Sequence, residues 1–257
     1  MKRFIVGAMA FGLLGFVGNA EAQPRSVDAT QALIQEAWSR VESYTASVEV
    51  FMQVPMGTLQ LPYSGSGQLA FRKDGSFGSF RLDSQGELAL PGRDRSATVP
   101  QDLRLNFHGD LFHLATRFLW QPLVLQYNAA EDKAEAGSLY DLLFQSMGAE
   151  ATLQVHPDVT VHETLAFLIE ARAVEDPGDE GTPTRGMFYF AQDTGILLRL
   201  DAYNARGSSL LALTCRDIRL NAPIDGDHFA FTPPDGYPVI DLNRDESIEI
   251  DLPPLLR

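Results

Sequence analysis

The chain has 257 residues, with 34 acidic against 20 basic side chains and a formal net charge of −14. That balance argues against a nucleic-acid partner, whose phosphates select Lys and Arg, and anionic lipid surfaces repel it. Hydrophobic residues make up 45% of the chain, enough for one substantial core, and the length does not force a second domain.

Lys2 and Arg3 precede an apolar run from Phe4 to Val17 that is too short to span a bilayer comfortably. Ala20-Glu21-Ala22 then places small residues at a cleavage position. Residues 1–22 therefore read as a signal peptide cut after Ala22, and residues 23–257 as one exported domain. An uncleaved anchor is disfavoured because polar sequence follows at once. The removed segment carries a net +1, so the mature chain is one unit more acidic. No Cys lies near the cut, so the protein is not expected to be acylated itself. Cys215, the single Cys, cannot form an internal disulfide and reads as a small buried apolar residue.

Ser26 to Ser43 reads as a helix, with Leu33, Ile34, Ala37, Trp38 and Val41 on one stripe and Asp28 or Ser26 as its cap. The period then changes to two. Ala46, Val48, Val50, Met52 and Val54 alternate with Ser47, Glu49, Phe51 and Gln53. Leu69 and Phe71, then Phe77 to Leu82, follow around a Lys73-Asp74-Gly75 hairpin turn. Leu103, Leu105 and Phe107 lead through His108-Gly109-Asp110 into Leu111 to Thr116. Later, Val161, Leu165, Phe167 and Ile169 share a face, as do Ile196, Leu198, Leu200 and Ala202, between turns at Gln192–Gly195 and Asn204–Gly207. Phe229 and Phe231 read as a last strand, stopped by Thr232-Pro233-Pro234-Asp235-Gly236. The whole is a long antiparallel meander with a helix in front.

A second helix interrupts the meander. Ser138 caps it, Leu139, Leu142, Leu143 and Met147 form its stripe, Tyr140 and Phe144 widen the stripe, and Gly148 ends it. Two readings remain, a helix plugging one end of a barrel and a lid over a cavity, because both bury the same stripe. The region 173–184, with four acids in Glu175–Glu180, reads as a solvated acidic loop rather than a cation site. Residues 241–257 read as an irregular surface tail.

Catalytic chemistry leaves few signs. The five His residues, at 108, 113, 156, 162 and 228, lack metal-ligand spacing, although His108 and His113 flank one hairpin. There is no nucleophile elbow and no phosphate-binding glycine loop. No catalytic residue, metal or cofactor is assigned. Apolar surface is the unusual feature. Phe77 to Leu82, Gly186 to Phe190, Ile196 to Leu198 and Ser209 to Cys215 are apolar on both faces over part of their length. A second apolar face needs a helix, another sheet or a ligand. A curved sheet around an apolar cavity and a two-sheet sandwich both satisfy that need. In the first case the wall comprises Val48, Val50, Leu69, Phe71, Phe77, Phe80, Leu103, Leu105, Ile196, Leu198, Leu200 and Leu211. Trp38, Leu139, Leu142, Leu143, Phe144 and Met147 then cover it.

Four stretches together resemble the LolA-like periplasmic outer-membrane lipoprotein carriers. They are Arg40–Ser47, Gly67–Phe77, Asn106–Phe112 and Phe229–Asp241, and they fall in the family's order across nearly the whole mature chain. The last is the nearest match, Phe-x-Phe-Thr-Pro-Pro-x-Gly-x-x-Val-x-Asp. The resemblance implies a mainly β fold, an incomplete antiparallel barrel with an N-terminal helix and a lid helix over an apolar cavity. It also implies a monomeric carrier of acylated lipoproteins in the periplasm, which receives them from an inner-membrane ABC transporter and delivers them to an outer-membrane receptor. The family's lid-latching Arg aligns with Lys73, beside Arg72, and Asp74 replaces the following Pro. Either residue can serve as the latch, or both can be solvated turn charges. Two other roles follow from other weightings: a periplasmic sensor or regulatory domain of the same fold binding lipid or lipoprotein, and an enzyme acting on envelope lipid or cell wall.

Overall fold

The computed structural model describes residues 25–56, 59–74, 77–90, 97–118, 121–130, 151–174 and 181–244. One helix, α1 (Val27–Trp38), precedes eleven strands: β1 (Ser43–Met56), β2 (Leu59–Arg72), β3 (Ser79–Leu90), β4 (Ala97–His108), β5 (Leu111–Phe118), β6 (Gln121–Asn128), β7 (Ala151–Val161), β8 (Thr164–Ala173), β9 (Arg185–Ala191), β10 (Leu197–Tyr203) and β11 (Ser209–Leu220). A 3₁₀ turn (Gly226–Phe229) and a short β12 (Val239–Asp241) follow. All twelve strands form one sheet in the order β12-β6-β5-β4-β3-β2-β1-β11-β10-β9-β8-β7. Neighbours pair antiparallel, except that β12 runs parallel to β6. β12 and β7 are left as separate edges, so the sheet is an open half-barrel. This is the architecture the sequence resemblance implies.

One buried cluster draws side chains from α1 and from most strands between β5 and β8, which fixes the inner face. Its densest part is a row of aromatics in register across six strands. Tyr44, Phe71, Phe80, Phe107, Phe112 and Tyr127 sit opposite one another from β1 to β6. Phe107 and Phe112 have ring centroids 4.3 Å apart, and Tyr44 and Phe71 5.7 Å. Such offset and edge contacts add to the stabilisation from burial itself.

α1 packs on the first two rings of this row. Ser26 Oγ accepts from the Ala29 N–H at its start, and Ile34 and Ala37 bury the stripe that period 3.6 selects. The helix ends at Trp38, short of the expected Ser43. Ser39 Oγ turns back to the Glu36 carbonyl, and the N–H groups of Arg40 and Val41 donate to Ala37 and Trp38 in a tighter turn. That turn frees the chain to enter β1 at Ser43 while keeping Val41 buried.

Three other expectations change. Phe229 and Phe231 do not form a strand. Phe229 closes the 3₁₀ turn and is fully buried, and Phe231 stacks on His113 with centroids 4.2 Å apart. The paired strand comes after the prolines, at Val239–Asp241, which also takes Asp241 out of the expected irregular tail. Leu198 does not share a face with Leu200. A register shift between Leu197 and Arg199 turns Leu197 inward and puts Leu198 in a small outer cluster with Val161, Ala166 and Ala191. Val161 likewise leaves the Phe167 face, because the two-residue turn at His162 and Glu163, both with positive φ, sets it opposite Thr164. Residues 131–150, which contain the expected second helix, lie outside the described residues, as do 1–24, 175–180 and 245–257.

Candidate functional site

The inner face of β1–β5 is the candidate site. Alternation along each strand delivers its residues: even positions of β1 and β3 and odd positions of β2 and β4 point inward. Val48, Val50, Leu69, Phe71, Phe77, Phe80, Leu105, Ile196 and Leu200 all lie in the inner cluster, with Trp38 and Leu211 packed against it. Leu103 is half-buried and faces a small pocket. Leu198 lies outside the face. Leu139, Leu142, Leu143, Phe144 and Met147 fall in 131–150, outside the described residues.

The face has two unlike halves. At one end the aromatic row is filled with rings; Trp38 of α1 lies on Phe71 at 4.8 Å and edge-on to Tyr44 at 6.4 Å. Further along the same strands the inward positions of β2 and β3 are small. Val48, Gly67, Ser84 and Leu103 form one row, and Val50, Gly65, Gly86 and Gln101 the next. The glycines are there because the strands approach too closely for side chains. A Cβ on Gly67 would meet the Asp83 carbonyl oxygen at 1.8 Å, and one on Gly86 the Ser64 carbonyl oxygen at 2.2 Å. The Tyr63 ring lies across this bare strip, and a Cβ on Gly65 would meet its hydroxyl at 2.3 Å. That hydroxyl is 2.9 Å from Ser84 Oγ. Burial raises the Tyr63 pKa, a nearby Asp102 adds to the rise, and the Ser84 bond opposes both.

Beside Tyr63 a pocket of about 40 Å³ remains, bounded by Met52, Val54, Leu88, Gln101, Leu103 and Thr116. It is almost wholly apolar. A space of that size holds about one water. An acyl chain therefore fits only if Tyr63 or the covering segments move. A larger groove of about 530 Å³ lies on the outer face where β1 and β11 shift register, bounded by Thr45, Ser47, Gln68, Asp217 and Arg219 among others. Its lining is polar and open to solvent, the wrong chemistry for a hydrocarbon.

The two latch candidates separate by parity. Lys73 follows β2 on the inner side and donates from Nζ to the Ser39 carbonyl at 3.0 Å, at the C-terminal end of α1. Its backbone N–H also donates to Glu42 at 2.7 Å. A cation there matches the negative end of the helix dipole. At the opposite end, Arg25 ties the start of α1 to the far side of the sheet, with Nη1 3.3 Å from Asp158 and its guanidinium 4.9 Å above Phe167. The helix is thus strapped across the mouth of the half-barrel from β2 to β7. Arg72 points outward instead. It pairs with Asp74 at 2.6 Å, donates to the Ile224 carbonyl and lies over the Phe229 ring. Arg81 donates to the His228 carbonyl nearby, so two arginines bind the C-terminal segment to the outer face.

Charged chemistry gathers on the outer face of β7–β10. Glu170 is buried, with its oxygens 2.5 Å from His156 Nε2, 2.7 Å from Arg172 Nε and 2.6 Å from Arg185 Nε. Burial pushes its pKa up, but the hydrogen bonds from His156, Arg185 and Arg172 outweigh it, and the carboxyl sits below its usual range. This histidine–carboxylate contact is an ion-pair knot on the side away from the apolar wall. His108 and His113 do not meet as ligands: His108 Nδ1 is 2.8 Å from Ser79 Oγ, and His113 is 3.2 Å from Gln126. No group of three metal-binding side chains occurs among the described residues. Cys215 is buried on the inner face opposite Val48, and burial pushes its thiol up to about 12. Sequence reasoning missed Tyr63, Leu88 and Gln101. The Pro62, Gly65 and Gly67 around Tyr63 hid a strand, yet Gly-x-Gly in an alternating run was the signal of close backbone approach.

No protein-family model and no curated protein matches the chain. Among solved structures it is similar to an uncharacterized conserved protein from Thermus thermophilus, at 12% identity and TM-score 0.45, over 80% of this chain and 98% of that one. It is similar to a chain of the Pseudomonas aeruginosa MucA/MucB complex at 12% identity and TM-score 0.42, over 77% of this chain and 58% of that one. A LolA superfamily protein from Nitrosomonas europaea aligns at 10% identity and TM-score 0.27, over 78% of this chain and 97% of that one. Likenesses this distant leave function to be argued from the chain's own inner face.

Proposed function

We propose that this LolA-like half-barrel is a periplasmic carrier that shields the acyl chains of lipoproteins between the inner and outer membranes. The observation that carries the reading is the inner face: among the described residues it is one broad apolar wall on a sheet with two separate edges, partly covered by a helix tied on by Lys73 and Arg25, and carrying a glycine strip that Tyr63 covers. The ordered motifs of the sequence support the same reading. Each methylene taken from water contributes about 0.8 kcal/mol, so one long chain supplies on the order of 10 kcal/mol, enough to displace the single Tyr63 ring that covers the glycine strip. Export follows from the signal-like start, and the ABC transporter and outer-membrane receptor are the partners this role requires.

The test is release from membranes. Purified protein incubated with inner-membrane vesicles carrying an acylated lipoprotein should bring that lipoprotein into the soluble fraction as a one-to-one complex. If the lipoprotein stays in the vesicles and native protein retains no acylated molecule by mass spectrometry, the reading fails. Pull-down of a membrane protein without lipoprotein release would indicate the sensor role instead.

A further inference from the structure

The small pocket contains a polar group that the fold itself does not satisfy. Gln101 is 7% exposed, and its Nε2 is fully buried without a hydrogen-bond partner. Gln101 lines the pocket together with Met52, Val54, Leu88, Leu103, Thr116 and Tyr63, and its Nε2 lies buried behind that lining. A buried amide nitrogen left unpaired is costly, and native structures rarely keep one without a reason. Gln101 also stands directly beside the bare strip, in register with Gly86 and Gly65 on the two neighbouring strands. One aromatic ring, Tyr63, covers that strip, and its hydroxyl shares a hydrogen bond with Ser84 Oγ.

We propose that Gln101 reads the carbonyl of a bound acyl group: its Nε2 donates to the ester or amide carbonyl oxygen, while the hydrocarbon enters the Gly65–Gly86 strip that Tyr63 vacates. The proposal rests on the acyl-binding reading above and deepens it. An apolar wall alone holds any hydrocarbon. A buried donor at the end of a side-chain-free trough selects a chain that carries an acceptor at one end, and it sets the chain's direction. Tyr63 is suited to the exchange, because its ring must move only far enough to leave Ser84, and the incoming chain replaces its apolar contacts. A bare alkane gains nothing from this donor, because it leaves the amide as unpaired as it is now.

The experiment compares two probes, methyl palmitate and octadecane, delivered from cyclodextrin to wild-type protein and to Gln101→Leu and Gln101→Met. Dissociation constants are read by calorimetry, and folding is checked by circular dichroism and thermal unfolding. Wild type should prefer the ester by about tenfold, the worth of one buried hydrogen bond. Both variants should bind octadecane at least as well as wild type and lose the preference for the ester. If wild type and variants bind both probes with the same ratio, Gln101 does not read the carbonyl, while acyl binding stands. If no protein binds either probe, the carrier reading and this proposal fall together. If only Gln101→Leu is misfolded, the Gln101→Met comparison decides. A crystal structure with methyl palmitate in which Nε2 bonds only a water would overturn the proposal as well.

Discussion

The two halves of the inner face share the same strands and the same register, yet they do opposite things. At one end of the strands, every strand from β1 to β6 contributes an aromatic ring to one row, and Trp38 of α1 packs on the first two rings. A few residues further along the strands, the rows thin to Gly65, Gly67, Ser84 and Gly86, with Tyr63 and a small pocket in place of a packed core. Packing is densest where rings interlock, and it thins where the backbone is bare. A single sheet can therefore be both scaffold and binding surface, provided bulk is distributed by row rather than by strand.

Breaking the aromatic half should have the largest effect. Phe107→Ala removes a fully buried ring between Phe80 and Phe112 and should cost about 3–5 kcal/mol in chemical unfolding. Within the thin half, two neighbouring glycines should behave differently. Gly67→Ala sets a Cβ against backbone and should cost about 3 kcal/mol. Gly65→Ala meets first the tip of Tyr63, which can swing away, so its cost should stay at about 1 kcal/mol or less. Equal costs would mean that Tyr63 is as fixed as the backbone.

Acid should not discriminate between the halves, because the depressed carboxyl of Glu170 lies on the outer face. Its folded value is below the unfolded one. Its contribution to stability is therefore present above the unfolded value, about pH 4.3, and is lost as pH falls through the lower folded value. Glu170→Gln should lower stability at neutral pH by about 2 kcal/mol and flatten the acid limb of the stability–pH curve. An unchanged acid limb would remove Glu170 from that role. Lys73→Met should have the smallest effect, about 1 kcal/mol, but should speed hydrogen exchange at the C-terminal amides of α1 and leave the β4 amides unchanged.

The aromatic half was more legible in the sequence than the thin one. Period-two runs such as Ala46–Val54 and Leu103–Phe107 gave the strands and their inward faces, and the Leu33–Val41 stripe gave α1. Face assignment failed where register shifts, as at Leu198, because a bulge leaves no mark on an apolar run. It failed again at Phe229 and Phe231, where alternation came from one buried ring and one ring stacked on a histidine rather than from a strand. The thin half was nearly invisible. Tyr63 and Gln101 acquire meaning only when β2, β3 and β4 are set side by side; the Gly65-x-Gly67 spacing marks the close backbone approach but not what lies over it.

The central claim is that an acyl chain occupies the thin half of the inner face. A palmitate analogue carrying a photoreactive diazirine on its chain, cross-linked to the native protein and mapped by peptide mass spectrometry, tests it directly. The predicted result is labelling of Met52, Leu88 or Leu103 and neighbouring inward residues. Labels on the outer groove at Thr45, Gln68 or Arg219, or no labelling at all, would contradict it.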